Sequence, residues 1–141
     1  MIQAERGKDT LMLAPQAMTN SATVTANFDT KGSGHATIRI PFAAELNTNA
    51  VGPTISLSES DDTVATNFAT VVANRTAEDL TSAKEVRYEV DLKGRKRYLR
   101  LSVTTATTTN DNVTLAAIGT LSQNAADPES TSDMASVVVR V

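Results

Sequence analysis

Cysteine and tryptophan are absent from this sequence, and histidine occurs once, as His35. Disulfide frameworks, thiolate zinc sites, cysteine nucleophiles and histidine clusters are therefore excluded. Aromatic residues are scarce, at 4%, so a core must be assembled from Val, Leu, Ile, Ala and the methyl of Thr, which favours strands over a cofactor pocket. An excess of basic charge is also missing: the formal net charge is -3, which argues against a nucleic-acid partner, because phosphates are neutralised mainly by Lys and Arg. No apolar run approaches the roughly 20 residues that a membrane-crossing helix needs. Leu11–Leu13, the nearest thing to a secretory apolar segment, is three residues long and follows charged Glu5, Arg6, Lys8 and Asp9, so export by the general pathway is not expected. A length of 141 residues suits one domain with its own core.

What is present is alternation. Ala22, Val24, Ala26 and Phe28 share one face of a strand over 21–28, with Thr23, Thr25 and Asn27 on the other. The same pattern places Ala36, Ile38, Ile40 and Phe42 inward and His35, Thr37 and Arg39 outward. Ile55 and Leu57 define a third strand. Val86, Tyr88 and Val90 alternate with Arg87, Glu89 and Asp91, Leu99, Leu101 and Val103 fall on one side of a strand over 98–105, and Val137, Val139 and Val141 close the chain. Val113–Leu121 is β-rich but changes phase between Leu115 and Ala116, which predicts a bulge or a strand buried on both faces. Between Thr63 and Lys84 helical and strand spacing compete; Phe68–Val72 is read as a short strand, and Thr76-Ala77-Glu78-Asp79 has the form of a capping box.

Turn signals such as Lys31-Gly32-Ser33-Gly34, Val51-Gly52-Pro53, Lys93-Gly94-Arg95 and Asn110-Asp111-Asn112 separate these strands. Strands at this spacing without long helices predict an all-β, antiparallel β-sandwich of jelly-roll type. The domain is expected over residues 19–141, with 1–18 as an extended N-terminal arm that orders against a neighbour, and with 122–133 as a polar loop before the last strand.

Few residues offer chemistry. Lys93, Arg95, Lys96, Arg97 and Arg100 gather five of the 13 basic residues; they are either a footprint for an acidic partner surface or a solvated hairpin turn whose charges discourage edge pairing. Glu59-Ser60-Asp61-Asp62 could offer oxygens to a hard cation, but lacks the rest of a calcium-loop pattern and reads better as a polar turn. His35, on an outward phase with no evident partner, reads as a surface residue. The sequons Asn74-Arg75-Thr76 and Asn112-Val113-Thr114 carry little weight without a secretory signal. No nucleophile, phosphate-loop or paired-carboxylate motif appears, so no enzyme, cofactor or small-molecule substrate is expected.

Two ordered stretches carry a resemblance. Leu57-Ser58-Glu59-Ser60-Asp61-Asp62, then Phe68 and Ala69-Thr70-Val71-Val72-Ala73, is similar to an "L-x-E-S-D-D-G-x-x-W-x-x-V" segment of small tailed-bacteriophage head proteins. Val86-Arg87-Tyr88 and Leu92-Lys93-Gly94-Arg95-Lys96-Arg97-Tyr98-Leu99-Arg100-Leu101 resembles that family's "Y-R-V-G-Y-x-G-x-K-R-Y-L-R-V" hairpin, and Leu13-Ala14-Pro15 fits its N-terminal "L-A-P". The family tryptophan is replaced by Phe68, the glycine after Asp62 is missing, and the chain diverges from Thr120 onward. The resemblance implies a capsid decoration or cement protein, without catalytic residues, bound to the major capsid protein on the virion exterior as a homotrimer and made in the host cytoplasm. Candidate contacts are Leu11, Met12 and Leu13 of the arm together with Lys93, Arg95, Lys96, Arg97 and Arg100. A host-glycan-binding module, for which Tyr98 is the outward aromatic, and a tail or baseplate subunit are the competing readings.

Overall fold

A computed structural model describes residues 8–19, 21–43, 53–76, 84–105, 113–122 and 137–141. Nine strands occupy most of them: β1 (Lys8–Met18), β2 (Thr23–Asp29), β3 (His35–Phe42), β4 (Thr54–Ser60), β5 (Ala69–Thr76), β6 (Lys84–Asp91), β7 (Tyr98–Thr104), β8 (Val113–Ser122) and β9 (Val137–Arg140). A 3-10 turn, Ala65–Asn67, precedes β5, so the described part of the ambiguous stretch, to Thr76, resolves in favour of a strand.

The pairing has a simple logic. β1 pairs with β8, β2 with β7, β3 with β6 and β4 with β5, all antiparallel. The first eight strands are therefore one long antiparallel ribbon. Lateral pairings of β3 with β8 and β4 with β7 fold that ribbon into two sheets, ordered β1-β8-β3-β6-β9 and β2-β7-β4-β5. This is a jelly roll, as the alternation predicts, with β9 added parallel to β6. We call the five-stranded sheet A and the other sheet B.

The core lies between the sheets and uses the inward residues of each alternating run. Ile38, Ile40, Tyr88, Val90, Val113 and Ala117 from sheet A meet Phe28, Ile55, Leu57, Leu99, Leu101 and Val103 from sheet B. At Gly119 the two sheets leave no room for a side chain: a Cβ there would lie 2.6 Å from Phe28 Cζ. The Phe28 ring occupies the volume that any other residue at 119 would fill.

Three expectations are corrected. Residues 8–18 are not an arm: they form β1, paired with β8 as part of the sandwich. Leu13 and Met18 are buried in the core, but register shifts between Leu11 and Leu13 and between Leu13 and Gln16 break the period-two signal that marks the other strands. β8 does not change phase. Val113, Leu115, Ala117, Gly119 and Leu121 all point inward while Ile118 is exposed; the inward glycine and the outward isoleucine together imitate a slip. Third, His35 is not on the surface but buried at 8% exposure. The capping-box residues 77–79, the loop 123–133, residues 1–7 of the expected arm and Asn112 of the second sequon lie outside the described residues.

Candidate functional site

The basic hairpin between β6 and β7 sits at one end of the sandwich, beside the β2–β3 turn and the β4–β5 loop. Gly94, at φ +77, makes the reversal possible. Thr30 ties the neighbouring turn to it, its backbone N–H and its Oγ1 both donating to the Arg97 carbonyl, at 2.9 and 2.6 Å.

Most of the charge in the hairpin is spent inside the molecule. Arg97 forms a two-pronged pair with Asp29, Nε donating to Oδ1 at 3.0 Å and Nη2 to Oδ2 at 2.8 Å, and its guanidinium lies 4.8 Å from the Tyr98 ring centroid. This hydrogen bonding holds the Asp29 carboxyl at a pKa of about 2, against an ordinary 3.8, and raises that of Arg97. Arg95 lies 3.8 Å from Glu59, whose other oxygen accepts the Lys96 backbone N–H at 3.3 Å. Arg100 covers the Phe68 ring at 3.9 Å and donates to Asn27 Oδ1 at 2.8 Å. Lys93 and Lys96 remain exposed.

The acidic run does the complementary job. Asp62 accepts from the Val64 N–H at 2.9 Å and from Asn67 Nδ2 at 2.9 Å, and these bonds, that from Asn67 foremost, pull its pKa below the ordinary value. Ser60 Oγ accepts the Asp62 N–H at 3.2 Å. The run is a self-bonded turn. Among the described residues, no group of three His, Cys, Asp or Glu is placed to hold a metal ion.

The three N-terminal candidates part company. Leu13 belongs to the core, Met12 is half-buried against it, and Leu11 is 59% exposed. Leu11 pairs in register with Ile118 of β8, itself 37% exposed, so the two make an open apolar spot at the β1 edge of sheet A.

Sequence patterning missed a cluster on the outer face of sheet A. Glu85, Arg87 and Glu89 on β6 are all buried, at 5 to 8% exposure. Arg39 and Arg87 are register partners, an arrangement that like charges alone would oppose; Glu85 lies between them and binds both, Arg39 through Nε and Arg87 through Nη2, the latter at 3.3 Å. One turn of the pleat away, Glu89 Oε2 accepts from Thr37 Oγ1 at 2.9 Å and lies 3.3 Å from His35 Nε2. The signal available in the sequence was the charges Glu85, Arg87 and Glu89 alternating with Val86, Tyr88 and Val90, but alternation reports only which face is inward.

All five aromatic residues are thus accounted for. Phe28, Phe42 and Tyr88 are in the core, and Phe68 and Tyr98 each lie beneath an arginine. No open aromatic platform of the kind that binds sugars remains among them.

No family model matches the chain, and no curated protein matches it. Among solved structures, the chain is similar to part of a family GH115 4-O-methyl-alpha-glucuronidase (12% identity, TM-score 0.45, 86% of this chain and 17% of that one). It is also similar to part of the infectious bursal disease virus Gx strain structure (13%, 0.46, 84% and 32%) and of the infectious bursal disease virus VP2 subviral particle (13%, 0.44, 82% and 31%). The chain spans about a third or less of each of these. Likenesses of this strength, to a glycosidase and a capsid alike, assign neither family nor activity.

Proposed function

We propose that this chain is a capsid decoration protein: a non-enzymatic β-sandwich that binds the major capsid protein on the outside of a tailed-phage head, in many copies and as a homotrimer. The observation that carries the reading is the convergence of the two stretches on which the resemblance rests. Glu59 of the first bonds Lys96 and pairs with Arg95 of the second, and Phe68, at the family's tryptophan position, lies beneath Arg100. Residues that resemble one family in two separate stretches are used together here, to lock two loops at one end of a jelly roll.

That convergence also narrows the contact surface. Arg95, Arg97, Arg100 and Leu13 have internal work, which leaves Leu11, with Ile118 beside it, and the exposed ammonium groups of Lys93 and Lys96 to meet a capsid. An exposed apolar residue and unpaired surface charges are individually weak, but a lattice of copies multiplies weak contacts.

Copy number in purified particles tests the reading. Hundreds of copies per virion on a stained gel, with density at three-fold positions in a particle map, are expected. A handful of copies moves the protein to the tail or baseplate, and absence from the particle overturns the proposal. Deleting residues 1–18 is the wrong test, because it removes β1. Leu11→Glu leaves the core intact and is expected to weaken capsid binding at least tenfold, whereas unchanged binding removes Leu11 from the interface.

A further inference from the structure

We propose that the outer face of sheet B, at the end that carries the β4–β5 loop, binds a second copy of this chain across a two-fold axis, with Arg100 of each copy meeting Asp61 of the other. The contact stands apart from the capsid reading, because it joins copies in pairs whatever larger assembly they belong to.

Arg100 is held in place without being neutralised. Its guanidinium lies 3.9 Å from the Phe68 ring centroid, while Nε donates to Asn27 Oδ1 at 2.8 Å and Nη1 to the Ala65 carbonyl at 3.5 Å. All three partners are neutral, and Nη2 makes no hydrogen bond among the described residues. By contrast, Arg39 and Arg87 meet Glu85, Arg95 meets Glu59 and Arg97 meets Asp29. A guanidinium stacked on a ring has already given up much of the freedom that binding would otherwise cost, and its flat fork matches a carboxylate. Arginine and aromatic side chains are also the groups on which interface energy concentrates.

The matching acid lies on the same loop. Every other described carboxylate accepts a hydrogen bond or faces a cation, whereas Asp61 is exposed and does neither. It stands three residues beyond Ser58, the register partner of Arg100, which puts the two backbones roughly 10 Å apart. Within one chain the two side chains do not pair. A two-fold axis passing between them sets each against its opposite in the second copy, which is the self-complementarity that a closed dimer requires.

The surface around Arg100 is suited to being covered. Along the three rows from Thr23 to Asn27, the outward positions of β2, β7 and β4 are hydroxyls and one amide, with Arg100 the only ionised group. Depletion of charge marks the centre of an interface, and short side chains let a second sheet come close. Val64, 53% exposed on the adjoining loop, adds an apolar contact. Three rows across four strands cover about 400 Å² by strand spacing and rise, against about 800 Å² that each partner gives to a standard interface. Pairs therefore form at high concentration, or where copies are already held side by side.

The symmetry supplies the test. Arg100→Asp leaves each copy with two acids and Asp61→Arg with two bases, so the contact is repulsive in either variant alone, whereas in an equal mixture every acid again meets a base. Sedimentation velocity is run up to about 1 mM, where even millimolar contacts populate the dimer. The unmodified chain is expected to form dimers, each variant to weaken them at least tenfold, and the mixture to recover them. A monomeric unmodified chain, or a mixture no more associated than its parts, would overturn the proposal. Should Arg100→Asp unseat the loop, Asp61→Asn changes only an exposed, unbonded side chain; it is expected to weaken the dimer by itself, and an undiminished dimer rejects the contact. A monomeric chain whose capsid binding is lost in Asp61→Arg would give this face to the capsid protein and overturn self-pairing. Dimers that fail to bind capsids would keep the pairing and discard the decoration reading.

Discussion

The outward faces of the two sheets follow the same period-two rule and reach opposite solutions. On sheet B the registers align Thr23, Thr104 and Thr54 in one row and Thr25, Ser102 and Ser56 in the next, a field of short hydroxyls open to water. On sheet A the equivalent rows hold Arg39 beside Arg87 and Thr37 beside Glu89, with the β6 members buried. Hydroxyls on an exposed strand satisfy themselves with solvent and carry little energy. Charges removed from water must find partners, and breaking one such pair leaves the other group stranded. One outer face is therefore replaceable, whereas the other is part of the structure.

The sharpest way to break this comparison is Glu89→Ala. The substitution removes the carboxylate that accepts from Thr37 and lies beside His35 beneath a nearly closed surface, and a loss of about 3 kcal/mol is expected from urea unfolding. A loss comparable to that at an exposed hydroxyl would mean that the two faces do not differ. Gly119→Ala probes the interior that both faces enclose. Its Cβ would meet buried ring carbons of Phe28 at 2.6 to 2.9 Å, and a ring locked between two sheets has little room to retreat, so a cost of about 2 kcal/mol is expected. A neutral result would show that the sheets separate more easily than the packing implies.

The inward half of this molecule was legible and the outward half was not. Ala36, Ile38, Ile40 and Phe42 announce their face because a strand has only two, and the same holds for Leu99, Leu101 and Val103. β1 was obscured by two register shifts, since each moves the following side chains out of phase with those before. β8 was obscured by Gly119, an inward residue with no side chain to reveal its direction. The buried charges of β6 were invisible for a different reason: Arg87 and Glu89 look identical in sequence whether water or protein covers them. Of the eight candidate contact residues, Leu13, Arg95, Arg97 and Arg100 proved to be engaged internally, because their partners Asp29, Glu59 and Phe68 lie on other strands and loops. Local composition shows that charge is present, but not which distant residue neutralises it.

The two smallest expected effects complete the comparison on the exposed side. Asp29 and Arg97 are an ion pair with both side chains over two-fifths exposed, so Asp29→Asn should cost less than either change above. Its signature is the pH dependence. The folded-state pKa of Asp29 is about 2, below the ordinary 3.8, so its contribution is complete above 3.8 and disappears as pH falls toward 2. Unfolding midpoints of the wild type and Asp29→Asn should therefore converge across that window; a difference persisting unchanged at its acid end would assign the effect to shape rather than charge. Smaller still is Thr104→Val, which removes the 3.0 Å hydroxyl contact with Thr23 while preserving branching at Cβ. Water replaces the lost partner and valine favours a strand as much as threonine does, so the change should stay within about 0.5 kcal/mol. A larger loss would show that the hydroxyl rows of sheet B act as a connected network, and the contrast with the charged face of sheet A would then be one of degree.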